Sequence, residues 1–408
     1  MAIGQGKKNF LIDYALVFVG DLLPYSVIFL LTLMVSYRFG LESAGSLSLA
    51  FAYVAVVTTM VCGPNLLSLR RRIVGSPSAG AVVVASLGLR VTVIIAGALL
   101  VVGVLFSTGT PASLLSLIAL LFIGRFLETA VDGPATSVQY LRGPLDYFLL
   151  RLAVSVLVCG ITGVAVFTAG GPDLTRIAFY YVLGGATGFL TALAVASQLL
   201  RPVAGLLAEC RGQVAEFSKF FVASALFVVA SRIHPMIINL FAGQEAAGQF
   251  ALVQNLFSSL ALAASGVASV FFWSRNRKGA PEKSSAVPWR WLLGGLLGGL
   301  VLGIIGGIFL DLLFLQPLGS TLELRITGWL LCLSTPLFLT QSIMSNLLVL
   351  LNRDREMLAL SAFNAIGGLL LITLLVYAFG LVGAALSVGL SALVSTILGI
   401  YIVRSAHE

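Results

Sequence analysis

The sequence predicts an all-α polytopic membrane protein of about twelve transmembrane helices, in two six-helix lobes around a central cavity. Three observations predict it. Of the 408 residues 59% are hydrophobic and 10% charged, with mean hydropathy +1.06, whereas a soluble domain carries about 25% charge. Apolar runs recur from end to end, each long enough to cross about 30 Å of hydrocarbon at about 1.5 Å per helical residue. A polar segment near residue 40 recurs near residue 243.

The apolar runs place spans at 11–36, 44–69, 88–106, 113–137, 147–168, 174–200, 217–241, 246–273, 289–314, 326–351, 356–378 and 381–403. The first run continues to Tyr37, too long for a cleavable signal, and is read as a helix. With a cytoplasmic N-terminus, 19 of the 24 Lys and Arg fall at inner segments, Arg90 and Arg151 among them. Arg38, Arg176 and Arg325 fall outside, and Arg125 and Arg232 lie inside spans. Both termini are therefore expected to be cytoplasmic. Labelling of a cysteine at position 284 from outside intact cells would overturn this orientation, and a cysteine at Ser107 should label from outside. The longest polar connections, near 201–216 and 274–288, lie inside, which leaves no extramembrane domain to host chemistry. The net charge of +8 belongs to these inner loops and does not imply nucleic acid. Cys62, Cys159, Cys210 and Cys332 show no close pairing, so neither a disulfide framework nor a metal cluster is expected.

A shift of 203 residues lays Gly40-Leu41-Glu42-Ser43-Ala44-Gly45 on Gly243-Gln244-Glu245-Ala246-Ala247-Gly248, with four of six identical. The same shift lays Leu49 on Leu252, Gly63 on Gly266 and Arg72 on Arg275. Both copies fall in an expected outer loop between the first two helices of a half. Six spans per half is an even number, so the halves share orientation and relate by an axis along the membrane normal. The expected organisation is a lobe at 1–200, a cytoplasmic linker at 201–216 and a lobe at 217–408.

The run from Tyr37 through Gly45 to Ala50, followed by Gly63 and a basic cluster, resembles the first outer loop and second helix of polysaccharide flippases. These are the Wzx-type members of the multidrug, oligosaccharidyl-lipid and polysaccharide exporter superfamily. Leu240 to Leu252 is similar to the head of their second lobe, although Gln249-Phe250 stands where the family often has a Tyr after the Gly. The resemblance implies a transporter of the bacterial cytoplasmic (inner) membrane, acting without a cofactor. Its partner would be a polyprenyl-diphosphate-linked oligosaccharide, with H+ or Na+ as coupling ion and membrane lipid around it.

Ionisable groups inside spans cost at least about 2.5–3.5 kcal/mol each, so they face a cavity or a partner. Arg125 and Arg232 lie near mid-depth, one in each half, where two guanidinium forks can hold a diphosphate. Equally, Arg125 can be neutralised by Glu128, one turn away. Arg232 has no acidic residue in its own span. Arg125, Glu128 and Asp132 share one helix face, which must be wet or paired. Asp21 stands one turn before Pro24, which frees a carbonyl and can bend the helix. This carboxylate reads either as a proton or sodium site, resembling the first-helix aspartate of related multidrug exporters, or as a partner for an arginine. His234, two residues beyond Arg232 and before Pro235, reads as a proton-coupling group or, being on a different helix face, as packing. Gln341, Ser345 and Asn346, with Asn364, read as ligands of sugar hydroxyls or as links between helices. Gly295, Gly299, Gly303 and Gly307 form a ridge at spacing four, expected to pack against another helix of the same chain.

Three functions compete. A flippase needs a polar, cationic path for sugar and diphosphate while the prenyl tail stays in lipid. A multidrug or cation antiporter is favoured by Asp21 and Pro24, but its site should be acidic and aromatic. A membrane enzyme is not expected, since no HExxH, GxSxG or phosphate-binding loop pattern occurs and His234 is the one candidate base.

Overall fold

Apolar runs that must satisfy their own backbone hydrogen bonds in lipid become helices, and in the computed structural model they do. It describes residues 7–75, 78–200, 205–276, 289–317, 319–350 and 353–405, among which no strand occurs. The order is α1 (Lys7–Gly75), α2 (Ala79–Ser107), α3 (Ala112–Ala130), α4 (Asp132–Leu141), α5 (Pro144–Thr168), α6 (Leu174–Ala196), α7 (Leu206–Arg232), α8 (His234–Asn276), α9 (Trp289–Leu310), a π-turn (Asp311–Leu315), α10 (Leu322–Leu333), α11 (Thr335–Leu350) and α12 (Asp354–Ser405). Eight helices among the described residues are long and apolar enough to cross a membrane.

Glycine and proline place the interruptions. Three long helices each contain one non-helical residue: Gly40 in α1 (φ 86°, ψ 175°), Gly243 in α8 (φ 86°, ψ 173°) and Gly380 in α12 (φ 57°, ψ −133°). Positive φ favours glycine at these bends. Gly40 and Gly243, 203 residues apart, share one backbone conformation. The segments expected as outer loops are thus helical on both sides of a single glycine. Three further breaks precede prolines, whose missing N–H releases the carbonyl four residues back. They fall at Val131 before Pro134, at Ile233 before Pro235 and at Ser334 before Pro336. Pro24, expected to bend its helix, does not interrupt α1.

The chain forms two compact units, Met1–Phe39 with Ala50–Ala225, and Gly40–Leu49 with Leu226–Glu408. In the first, α6 packs against both α3 and α5, its Gly184 lying on the Val158 backbone and its Gly185 on the Gly124 carbonyl. Helix α7 starts at Leu206, and Arg72 at the end of α1 donates to its Glu209 at 2.6 and 3.0 Å. In the second unit Gly45 lies on Gly248, where an added Cβ would stand 3.1 Å from a backbone carbon.

The α9 ridge packs within this second unit. Gly299 faces Pro336, Gly303 faces the Cys332 carbonyl and Gly307 faces Trp329. The Cys332 carbonyl is the one released by Pro336, and it accepts from Thr335 Oγ1 at 2.6 Å. Gly294 and Gly298, on other faces of the helix, have open space beside them. Gly303→Val should therefore destabilise the fold by roughly 1–3 kcal/mol or more through overpacking, whereas Gly298→Val should leave the melting temperature of the purified protein unchanged. Equal melting of the two variants would remove the packing role.

Candidate functional site

Two buried polar clusters occupy the first unit. The first forms because Pro134 breaks the helix at Val131, so that Asp132 opens α4, where a carboxylate suits the helix N-terminus. Asp132 Oδ1 accepts from Arg151 Nη2 of α5 at 2.5 Å, and Oδ2 accepts from Arg90 Nη1 of α2 at 2.9 Å. Arg90 also donates to the Thr129 carbonyl, and its Nε and Nη2 donate to Asn65 Oδ1 of α1 at 3.1 and 2.8 Å. Ser86 donates to the same Asn65 oxygen at 2.8 Å, and Asn65 Nδ2 returns a bond to the Ser86 carbonyl at 3.2 Å. Arg151 Nε donates to the Tyr147 hydroxyl at 3.2 Å, and that hydroxyl donates to Asp21 Oδ1. A continuous chain thus runs Asn65, Arg90, Asp132, Arg151, Tyr147, Asp21, across α1, α2, α4 and α5. Arg90 is 1% exposed and Arg151 3%. Asp21 is half-buried, the most open member of the chain.

The second cluster lies along α3. Arg125 Nη1 donates to Glu128 Oε2 at 2.6 Å, and Tyr181 of α6 donates to the same oxygen. The Arg125 guanidinium stands over the Tyr25 ring at 5.7 Å. Phe51 meets the Tyr181 ring edge-on at 5.6 Å. Glu128 Oε1 is buried without a hydrogen-bond partner. Tyr25 is one turn beyond Asp21, so consecutive turns of α1 meet the two clusters.

Arg90 and Arg151, counted in the sequence among the inner-segment charges, are corrected here to buried members of the helix bundle. The reason is local: α2 begins at Ala79, where Ser78 accepts from Ala81 N at 3.3 Å and caps the helix, nine residues before the expected start of that span. The signal for both was present, since each falls inside a predicted span and a buried arginine needs an acid. Asn65, Tyr147 and Tyr181 carry no such charge signal and become visible only through their partners.

In the second unit Arg232 is the last residue of α7, at the break before Pro235, and Nη1 donates to Ser258 Oγ at 3.2 Å. A helix C-terminus carries partial negative charge, which favours a cation there. His234 is buried and stacks on Phe250 with centroids 6.2 Å apart. Gln341 Nε2 donates to Ser395 Oγ at 3.2 Å, linking α11 to α12. The side chains of Ser345 and Asn346 lie outside the described residues. Asp311 accepts both Nε and Nη2 of Arg325, at 2.5 and 2.9 Å, and Trp329 Nε1 at 3.2 Å.

No family model matches the sequence, and no curated protein does. Solved structures do match. A eukaryotic MATE transporter superposes with TM-score 0.70 at 13% identity, covering 98% of each chain. The lipid II flippase MurJ, in an inward closed conformation, gives 0.67 at 12% identity over 96% of this chain and 87% of its own. A transporter of the MOP superfamily from Pyrococcus furiosus, described as having a binding pocket of reverse polarity, gives 0.65 at 16% over 97% and 95%. These structural neighbours are transporters and flippases rather than enzymes. The chain has the fold shared by the MATE transporters and the MurJ flippase of the MOP superfamily.

Proposed function

We propose that this protein is a flippase that moves a polyprenyl-diphosphate-linked oligosaccharide from the inner to the outer leaflet of a bacterial cytoplasmic membrane by alternating access. In this reading the chain crosses the membrane twelve times with both termini cytoplasmic, as lobes 1–200 and 217–408. Arg232 and Arg125 meet the diphosphate, Glu128, Asp132, Gln341 and Asn346 line the polar path, and Asp21 takes the coupling proton, with His234 as a second candidate. The observation that carries the reading is Arg232, a fixed positive charge at the end of a helix broken within an apolar segment. Broken helices of this kind present ligand groups where transporters bind their substrates. The fold shared with a lipid II flippase supports the same substrate class.

A cation or drug antiporter is the second reading, favoured by the Asp21 carboxylate held by Tyr147. Arg151 next along that chain counts against a cationic ligand. The two separate in liposomes containing the purified protein. Transbilayer movement of a fluorescent prenyl-diphosphate glycan, with no proton-driven uptake of a cationic dye, is the expected result. The reverse pattern would discard the flippase.

A further inference from the structure

The two copies of the repeat meet at a glycine pair. Gly45 and Gly248 stand at the shift of 203 residues that relates the copies, and each is the other's neighbour. A Cβ on Gly248 would stand 2.7 Å from the Gly45 carbonyl carbon and 2.8 Å from its oxygen, and one on Gly45 would stand 3.1 Å from the Gly248 carbonyl carbon. The contact is backbone on backbone, so no side chain can turn aside to admit a methyl group.

Each of these glycines lies five residues beyond a glycine bend of the same conformation, Gly40 (φ 86°, ψ 175°) and Gly243 (φ 86°, ψ 173°), and both bends have open space beside them. Residues Gly40–Leu49 belong to the second unit although the rest of α1 belongs to the first. The crossing is dry: Ala44, Leu47, Ala247 and Phe250 are 0% exposed. Toward the bends the chain turns wet, with Arg38, Glu42, Gln244 and Glu245 exposed. One polar group is shut inside. Ser48 Oγ, one turn from Gly45 on the same side of α1, is buried without a hydrogen-bond partner. A buried hydroxyl left unpaired is unfavourable, and water would satisfy it. Close backbone packing therefore favours the crossing shut, and the stranded hydroxyl favours it open.

We propose that the Gly45–Gly248 crossing is a seal that parts during transport: the Gly40–Leu49 segment draws away from α8, and water reaches Ser48. The bends at Gly40 and Gly243 take up the change, as a few residues at element ends commonly do in such motions. The proposal rests on the alternating-access reading and the orientation above, and adds the contact that shuts the outer side. Glycines at a crossing that never parts would serve stability alone.

The experiment measures how fast a membrane-impermeant maleimide, added outside intact cells, labels Ser48→Cys in the full-length protein. The parent, with its four native cysteines, sets the background. Ser48→Cys should label slowly while the crossing glycines are intact, because only the open form exposes it. Gly248→Ala, whose methyl group the shut form cannot hold, should speed that labelling at least about tenfold, the rise available when the open form starts at about 0.1–10% of molecules. It should also stop movement of the fluorescent glycan in liposomes. Gly45→Ala, with the looser clash, should act in the same direction by less. Gly298→Ala, in open space on α9, should leave labelling and transport unchanged. Ser387→Cys, at another fully buried position of the second unit, should stay unlabelled in every background, which separates opening from unfolding.

Three outcomes make the crossing fixed packing and overturn the seal: no labelling of Ser48→Cys in any background, no acceleration by Gly248→Ala, or equal acceleration at positions 48 and 387. Glycine-dependent labelling from the inner face alone upholds the seal and reverses the orientation. Glycine-dependent labelling by a protein that moves no glycan upholds the seal and discards the glycan reading.

Discussion

Arg232→Ala is expected to abolish glycan export while leaving the protein folded and inserted. The guanidinium stands at the last residue of α7, half-buried, where the helix end favours a cation and Ser258 accepts one of its five N–H groups. If a diphosphate completes the site, truncating one partner of such a charge pair costs about 2–5 kcal/mol, or at least about thirtyfold in binding. Arg232→Lys should recover part of the activity, because ammonium keeps the charge and loses the planar fork. Arg125→Ala should be milder for export, since Glu128 already closes on that arginine at 2.6 Å. The measurement is surface glycan per cell against protein level and gel-filtration profile. Normal export by a folded Arg232→Ala protein would sink the diphosphate role.

Asp132→Ala is expected to be the most destabilising substitution in the first unit. It removes the one carboxylate that Arg90 and Arg151 share, leaving two guanidinium groups inside the bundle. Breaking a buried pair by removing one partner costs about 3–5 kcal/mol, enough to remove much of a typical fold's stability. The variant should accumulate poorly and melt well below the wild type in detergent. Replacing all three residues with apolar side chains, Arg90→Met and Arg151→Met with Asp132→Leu, should restore folding, because no stranded charge remains. Transport should stay lost in that triple variant if the cluster serves the cycle. An Asp132→Ala protein with wild-type melting would show that the arginines find other counter-charges.

Much of this architecture was readable one residue at a time. Lipid admits only segments that satisfy their own backbone, so the apolar runs had to be helices. The breaks before Pro134, Pro235 and Pro336 fall inside spans read as continuous, while Pro24, read as able to bend its helix, leaves α1 uninterrupted, so packing decides which prolines break a helix. The pairing of Arg125 with Glu128 follows from a spacing of three on one helix. Gly40 and Gly243 were legible as a repeat, but not as single-residue bends between helical segments, since that depends on how the flanking residues pack.

The sequence by itself determined the helical fold and the presence of charges that had to be matched inside it, because each follows from local backbone chemistry or from the cost of a charge in hydrocarbon. Tertiary structure alone decided which groups match between helices. Asn65 and Arg90 are 25 residues apart, Asp132 and Arg151 19, and Asp21 and Tyr147 126. No helical periodicity spans such distances. Arg90 and Arg151 look like loop charges at the ends of apolar runs until the capped start of α2 and the break before Pro134 bring them to the same carboxylate. Partnership between helices is a property of their packing, which binary patterns of apolar and polar residues leave open.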